Sequence, residues 1–145
     1  MSVAPRVLAL LTDAYGAGGG IAQYNRDWLA AAAAAGAQVE VFAFGRCKRD
    51  GVPIPAGVMV RVATRSRLRI AAHLLYASLV RPAQLVWCGH LHLVPLAAAA
   101  ARVAVAPLWL QVHGIDAWQR PSWLRRLGSA RAQLVTAVSR HTRRK

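Results

Sequence analysis

Six short apolar segments, most of them separated by segments of helical periodicity, are the feature of this chain that most constrains its fold. The apolar runs cover residues 6–11, 39–44, 58–62, 84–88, 107–112 and 134–138. Continuous apolar runs of this length are typical of strands that are buried on both faces. Because helical segments separate the runs, we predict an α/β fold in which a parallel sheet is covered by helices on both faces.

Local signals mark where the predicted helices begin and end. The first helix follows a glycine-rich loop at 16–20, and Gly36 is placed to end it. Ser66 is suited to cap a helix that runs to about residue 80, and Pro82 then stops it. Segments 93–102 and 121–128 predict two more helices. A last helix begins near Ser139, six residues before the end of the printed sequence.

The length and composition predict one globular domain over residues 1–145. Apolar residues make up 56% of the chain and charged residues 17%, which argues against intrinsic disorder. The apolar stretch 91–110 contains Arg102 and two prolines, so we do not expect it to span a membrane. No signal peptide is evident, and a cytoplasmic location is expected. Cys47 and Cys88 are interpreted as reduced thiols.

The formal net charge of +14, carried almost entirely by arginine, predicts attraction to an anionic partner. Nucleic acid, a phosphate-bearing substrate and an acidic membrane surface all fit that description. Aromatic residues near the arginines are sparse and no nucleic-acid-binding motif occurs, so nucleic acid is not expected as the partner.

Most of the unusual polar residues follow the ends of predicted strands. Ligands of open parallel α/β sheets bind outside the carboxyl ends of the strands, which lie at one edge. We therefore expect one site at that edge, and its candidate residues are Asp13 with the glycine loop, Gly89, His90, His92, His113, Gly114, Asp116, Ser139 and Arg140.

The glycine loop has the chemistry of an anion-binding turn. Gly18, Gly19 and Gly20 let backbone N–H groups approach a ligand, and the following helix adds its positive N-terminal end. Ile21 stands where the dinucleotide fingerprint requires a third glycine, so no nicotinamide or flavin is expected. No other cofactor is predicted. The spacing of Cys88 and the two histidines that follow it matches no common zinc pattern, so no metal is predicted either.

Three stretches together resemble a known enzyme family. They are residues 18–27, residues 87–93, and residues 113–118 followed by 138–140. They are similar to the N-terminal, Rossmann-like domain of GT-B glycosyltransferases in the large retaining family 4, which includes bacterial mannosyl- and glucosyltransferases. The resemblance implies that the chain is the N-terminal half of a GT-B fold.

The resemblance also assigns roles to residues. It implies that Gly18, Gly19 and Gly20 lie in an interdomain cleft near the donor diphosphate, and that His113 contacts the reacting groups as the candidate catalytic residue. The acceptor-side candidates are His90, Asp116, Asn25 and Ser139. Asp116 departs from the family, which often has glutamate there, and its shorter side chain changes its reach.

The second domain of such enzymes supplies a basic pair and an E-x7-E carboxylate pair for the nucleotide-sugar donor. The printed sequence contains no such motif. We therefore expect a truncated or split enzyme that transfers a sugar from a nucleotide-sugar donor to an unknown acceptor only together with a C-terminal donor-binding half. The alternative is a non-catalytic subunit that docks on a membrane or presents the acceptor.

A basic stripe in the predicted second helix suggests a membrane partner. Arg65, Arg69 and His73 recur every four residues, and Arg67 adds to the positive field. We predict peripheral docking on anionic lipid at the inner face of the membrane. The alternative is an ordinary solvated face of a covering helix. In either case, the side chains predicted to pack on the sheet are Leu68, Ala71, Leu75 and Leu79, bordered by Ile70 and Leu74.

Overall fold

A computed structural model describes residues 3–16, 18–45, 51–114, 118 and 120–143. In these ranges the strands and helices follow one another in the predicted order. The elements are β1 (Arg6–Leu11), α1 (Gly20–Ala34), β2 (Gln38–Phe44), β3 (Val58–Thr64), α2 (Arg67–Val80), β4 (Leu85–Cys88), a 3-10 helix (Leu91–Leu93), α3 (Val94–Ala104), β5 (Leu108–Val112), α4 (Trp123–Ser129), β6 (Leu134–Ala137) and α5 (Arg140–Arg143).

The six strands form one parallel sheet in the order β3-β2-β1-β4-β5-β6. This confirms the predicted α/β fold with a Rossmann-like sheet. The strand order reverses between β1 and β4, which pair directly through Val7 to Leu10 on β1. Such a reversal opens a crevice outside the carboxyl ends of the two strands, where ligands of this fold class bind.

The sheet is buried on both faces around its centre. All six residues of β1 are buried, and alternate side chains enter different cores. Leu8 and Leu10 pack with residues of α2 and α3, whereas Ala9 and Leu11 pack with residues of α1. The edge strand β6 is less covered, since the side chains of Leu134 and Val135 are about half exposed.

The predicted capping residues of α1, α2 and α5 are confirmed. Gly36 follows α1 with a φ of +90°, a conformation that suits glycine. The Ser66 hydroxyl accepts a hydrogen bond from the Arg69 N–H at 3.3 Å, and the Ser139 hydroxyl accepts one from the Thr142 N–H at 3.1 Å. Within the described ranges, no helix combines the length and apolarity needed to cross a bilayer.

The face on which α2 packs differs from the prediction. Ile70, Leu74, Ala77 and Ser78 are buried, whereas Leu68, one of the side chains predicted to pack, is 84% exposed. The helix is apolar on more than one face, so periodicity alone does not select the side that faces the sheet. The packing face of α2 is fixed by Arg6 of β1, because the Arg6 guanidinium donates hydrogen bonds to the carbonyls of Ala77 and Arg81.

The exposed side of α2 is therefore more apolar than expected. Leu79 is 72% exposed and Tyr76 is 67% exposed, so they share the outer surface of the helix with Leu68. Arg69 and His73 are exposed as predicted. The outer surface is a mixed basic and apolar one, and the solvated basic face expected from the sequence is only part of it.

Candidate functional site

The loop between β1 and α1 is held by polar groups at its base and is open at its tip. The Asp13 carboxylate accepts a hydrogen bond from the Gly16 N–H at 2.8 Å, and Arg26 donates to the Ala14 carbonyl. At the tip, Gly18, Gly19 and Gly20 are exposed, and an added Cβ at any of them would have nothing within 4 Å.

The start of α1 leaves its first backbone N–H groups uncapped by any side chain. Gly19 precedes the helix with a φ of +131°, which side-chain-bearing residues rarely adopt, so glycine is required there. The first N–H groups of a helix have no acceptor within the helix, and the aligned peptide dipoles make this end positive. An anion at the tip of the loop would meet both features.

Asn25 joins this loop to the end of β4. Its side chain is fully buried, and Nδ2 donates a hydrogen bond to the Asp13 carbonyl at 2.6 Å. A Cβ at Gly89 would lie 3.1 Å from Asn25 Oδ1 and 2.9 Å from Cη2 of Trp87, so only glycine fits without a shift. Asn25 Oδ1 accepts no hydrogen bond within the described part of the chain.

His113 lies directly after β5 and is held in one orientation. Only 7% of the residue is exposed, and Nε2 lies 3.1 Å from the carbonyl oxygen of Gly89. Because a carbonyl oxygen only accepts, Nε2 carries the hydrogen and Nδ1 is the acceptor of the neutral ring. The Tyr24 ring contacts the imidazole edge-to-face, with the ring centroids 5.2 Å apart.

His90 lies beside His113 at the end of β4. It is also 7% exposed, and the centroids of the two imidazoles are 6.4 Å apart. Its Nδ1 accepts a hydrogen bond from the His92 N–H at 3.2 Å. This hydrogen bond caps the start of the 3-10 helix. The His90 imidazole is therefore positioned by the backbone N–H of His92 and lines the same cluster as His113.

Cys88 precedes these histidines and behaves as a core thiol. Its Sγ donates to the His90 carbonyl at 3.2 Å, and burial raises the pKa of Cys88 to about 12. A thiol with this pKa stays protonated at neutral pH and is a poor metal ligand. Among the residues that the structure describes, no three His, Cys, Asp or Glu side chains are grouped to hold a metal ion. Cys47 lies outside the described residues.

Gln111 is a member of the cluster that the sequence reasoning missed. It is fully buried in β5, and its Oε1 accepts hydrogen bonds from the Tyr24 hydroxyl, at 2.9 Å, and from the Thr136 hydroxyl. Burial raises the pKa of Tyr24, so its hydroxyl remains a donor at neutral pH. The available signal was a single carboxamide inside an otherwise apolar strand.

A family model described as Glycosyltransferase Family 4 matches residues 18–145, a range that begins at the glycine loop and includes His90 and His113. The chain belongs to this family. A search of curated proteins gives no significant match. Membership confirms the predicted family, and the parallel sheet is consistent with half of a GT-B fold.

The predicted site residues of this family 4 glycosyltransferase domain fall into two groups. Asn25, His90 and His113 meet around Gly89, at the carboxyl ends of β1, β4 and β5. Ser139 instead is exposed and caps α5. Asp116 lies outside the described residues.

The predicted membrane-docking residues of the glycosyltransferase domain lie in and just before the first turn of α2. Arg65, Arg67 and Arg69 are exposed at the start of α2. The Arg67 guanidinium carbon lies 5.9 Å from the centroid of the Phe44 ring, a cation–π contact that attaches this arginine to the end of β2.

Proposed function

We propose that this domain is the N-terminal, acceptor-side half of a retaining glycosyltransferase that moves a sugar from a nucleotide-sugar donor to an acceptor. One observation carries the proposal: Asn25, which holds the base of the glycine loop, and the His113 imidazole both lie against Gly89, at the point where the strand order reverses. Membership of Glycosyltransferase Family 4 supports sugar transfer as the reaction, and the cluster at the carboxyl ends of the strands is where we propose that it occurs.

The chemistry assigned to the glycine loop is stabilisation of the leaving group. Negative charge develops on the donor diphosphate as the glycosidic bond breaks, and backbone N–H groups that are already oriented stabilise such charge. The open tip at Gly18 to Gly20 and the positive end of α1 provide these groups.

The chemistry assigned to His113 is contact with the reacting sugar or acceptor. The Gly89 carbonyl and the Tyr24 ring fix its imidazole, so little reorganisation is needed when the substrates bind. Asn25 acts as a positioning residue, because it is buried and holds the loop against the end of β4.

The proposal includes a donor-binding half that these 145 residues do not supply. The 145 residues contain one glutamate, Glu40, which is buried in ion pairs within β2. The paired glutamates that family resemblance places on the donor side therefore have to come from other residues. A non-catalytic subunit that presents the acceptor is the alternative to a complementary half-enzyme.

The test compares the chain alone with the chain mixed with a donor-binding GT-B half encoded next to it. Transfer from a panel of radiolabelled nucleotide sugars is expected only in the mixture. Turnover by the chain alone, abolished by His113→Ala, would overturn the need for a second half. Association of the two halves without any turnover would favour the acceptor-presenting alternative.

A second proposed function is peripheral docking of this cytoplasmic domain on the inner face of an anionic membrane. The observation that favours it is the outer surface of α2, where Leu68, Tyr76 and Leu79 are exposed beside Arg65 and Arg69. Apolar side chains that insert beside basic ones are the pattern of helices that lie in a membrane interface. Each basic residue near an anionic surface contributes about 1 kcal/mol.

Docking is tested by co-sedimentation at low salt. The wild-type chain is expected to bind anionic but not zwitterionic vesicles, and Arg65→Glu with Arg69→Glu should weaken this binding. The matched control is Arg102→Glu with Arg131→Glu, which changes the net charge equally on the α3 side of the domain. Equal weakening by both pairs, or better competition by duplex DNA than by lipid, would contradict the assignment.

A further inference from the structure

A network of charged side chains lies under α2, toward the amino ends of the strands. Arg6 and Glu40 are both buried, and the Arg6 Nε donates to Glu40 Oε1 at 2.7 Å. Arg61 of β3 donates to the other carboxylate oxygen, Oε2, at 3.0 Å. This network is at the opposite edge of the sheet from His113.

The network has more positive charge than its own ion pairs require. Arg6 uses its donors on Glu40 and on the carbonyls of Ala77 and Arg81. Arg61 is held only through Nε, and in the described ranges its two terminal nitrogens donate to no protein group. Arg81 adds a third guanidinium, held by a 3.3 Å hydrogen bond to Gln38. Three guanidiniums face one carboxylate, an excess of two positive charges.

These cations surround a cavity of about 490 Å³. Its polar wall consists of Arg61, Arg81 and His73, and its floor is the Arg6–Glu40 pair. Phe42 of β2 and Val80 of α2 form an apolar wall, and the exposed Tyr76 stands at its rim.

Two further basic cavities lack this arrangement. Arg102 and Arg131 line two cavities beside α3 and α4, but neither guanidinium is fixed by a side-chain hydrogen bond in the described ranges. At Arg61 and Arg81, by contrast, Glu40 and Gln38 orient the guanidiniums before a ligand arrives. Preorganised donors lose less conformational entropy on binding.

We propose that this cavity binds a phosphate monoester, with the phosphate on Arg61 and Arg81 and its organic group against Phe42 and Val80. A phosphate monoester carries close to two negative charges at neutral pH, which matches the excess positive charge. Guanidinium groups bind phosphate oxygens through paired, charge-assisted hydrogen bonds. The ester is either a soluble metabolite or the headgroup of a lipid.

The experiment measures binding of two probes to the folded chain. Isothermal titration with glycerol 3-phosphate tests a soluble ester. Co-sedimentation with phosphatidylcholine vesicles that contain phosphatidic acid tests the same chemistry on a lipid. Arg61→Gln with Arg81→Gln is the test variant, and Arg81→Gln alone is included because it leaves the Glu40 ion pairs intact. Arg102→Gln with Arg131→Gln is the control of equal net charge.

The double variant is expected to weaken binding of the effective probe by about tenfold or more, since two charge-assisted contacts are lost. Arg81→Gln alone should weaken it less, and the control should leave it unchanged. Binding of glycerol 3-phosphate that the double variant weakens identifies a soluble source, and binding of the vesicles alone that the double variant weakens identifies a lipid source. Binding of neither probe, or equal weakening by the control, would overturn the proposal. Both outcomes leave glycosyl transfer at the opposite edge untouched.

Discussion

The two ends of the parallel sheet are held together by different chemistry. At the carboxyl end, hydrogen bonds and close packing hold the elements together. Asn25 holds the loop, Gly89 permits close approach, and His113 hydrogen bonds to a carbonyl. At the amino end, Arg6 and Glu40 form a buried ion pair.

The difference separates a buried ion pair, which stabilises the fold, from the site proposed for sugar transfer. At the amino end, the Arg6–Glu40 ion pair and the hydrogen bonds from Arg6 to the carbonyls of Ala77 and Arg81 tie β1, β2 and α2 together. The carboxyl end keeps few charged side chains in its buried cluster, and the positive field there comes from the uncapped start of α1. A charged substrate can therefore enter that end without displacing an existing ion pair.

The largest expected effect on stability is at the amino end. Glu40→Gln leaves the buried Arg6 guanidinium without a counter-charge, and breaking such a buried pair costs about 3–5 kcal/mol. Urea unfolding at neutral pH measures this loss. Asp27→Asn, at an exposed position of α1, is the control and should stay within about 0.5 kcal/mol of the wild type.

The pH dependence of the same variant sharpens the comparison. Burial raises the pKa of Glu40, but hydrogen bonds and charges from Arg6 and Arg61 outweigh burial and lower it. A lowered folded pKa means that this stabilisation is present above the unfolded pKa and is lost as the pH falls through the folded pKa. Wild-type stability should thus fall more on acidification than that of Glu40→Gln. Parallel curves would show that Glu40 does not stabilise the fold as a carboxylate.

A smaller loss of stability is expected at the carboxyl end. Gly89→Ala places a Cβ 2.9 Å from Trp87 and 3.1 Å from Asn25 Oδ1, and such overpacking typically costs about 1–3 kcal/mol. Gly18→Ala is the matched control, because a Cβ there meets nothing within 4 Å. Equal unfolding free energies for the two variants would contradict a close contact between α1 and the end of β4.

The smallest effect, a lack of chemical modification in the folded chain, is expected at Cys88. Burial raises the pKa of the Cys88 thiol to about 12. Its thiol should stay protonated and inaccessible in the folded chain at pH 8, so iodoacetamide should modify the Cys88 peptide only after denaturation. Peptide mass spectrometry measures the modification. Rapid labelling of the native chain would mean that the cluster opens to solvent far more readily than its burial indicates.

The sequence predicted the fold well because its apolar runs have only one consistent interpretation. Strands such as 6–11 and 84–88 are continuously apolar, and residues such as Ser66 and Gly36 mark helix ends through local chemistry. The packing face of α2 could not be predicted, because that helix has competing apolar faces. A long-range contact, from Arg6 to the Ala77 carbonyl, decides between them.

The candidate site was predictable in location more than in detail. Parallel strands end at one edge, so His90 and His113 were expected to lie near each other, and they do. The roles of Gln111 and Arg6 depend on partners in distant segments, Tyr24 and Glu40, which no local spacing indicates. Both residues are polar side chains within buried strands. A buried polar side chain is unfavourable without a hydrogen-bond partner, so its presence in an apolar strand indicates that a partner exists.

The central claim, that the carboxyl end is the site of sugar transfer, is tested most directly by the turnover number of two His113 variants. Both are made in the enzyme completed with its donor-binding half. His113→Ala should lower kcat by about 10²-fold or more and change the donor KM much less. His113→Gln keeps a donor for the Gly89 carbonyl and should not restore kcat. Wild-type kcat in His113→Ala, or full recovery in His113→Gln, would make His113 a packing residue and contradict the claim.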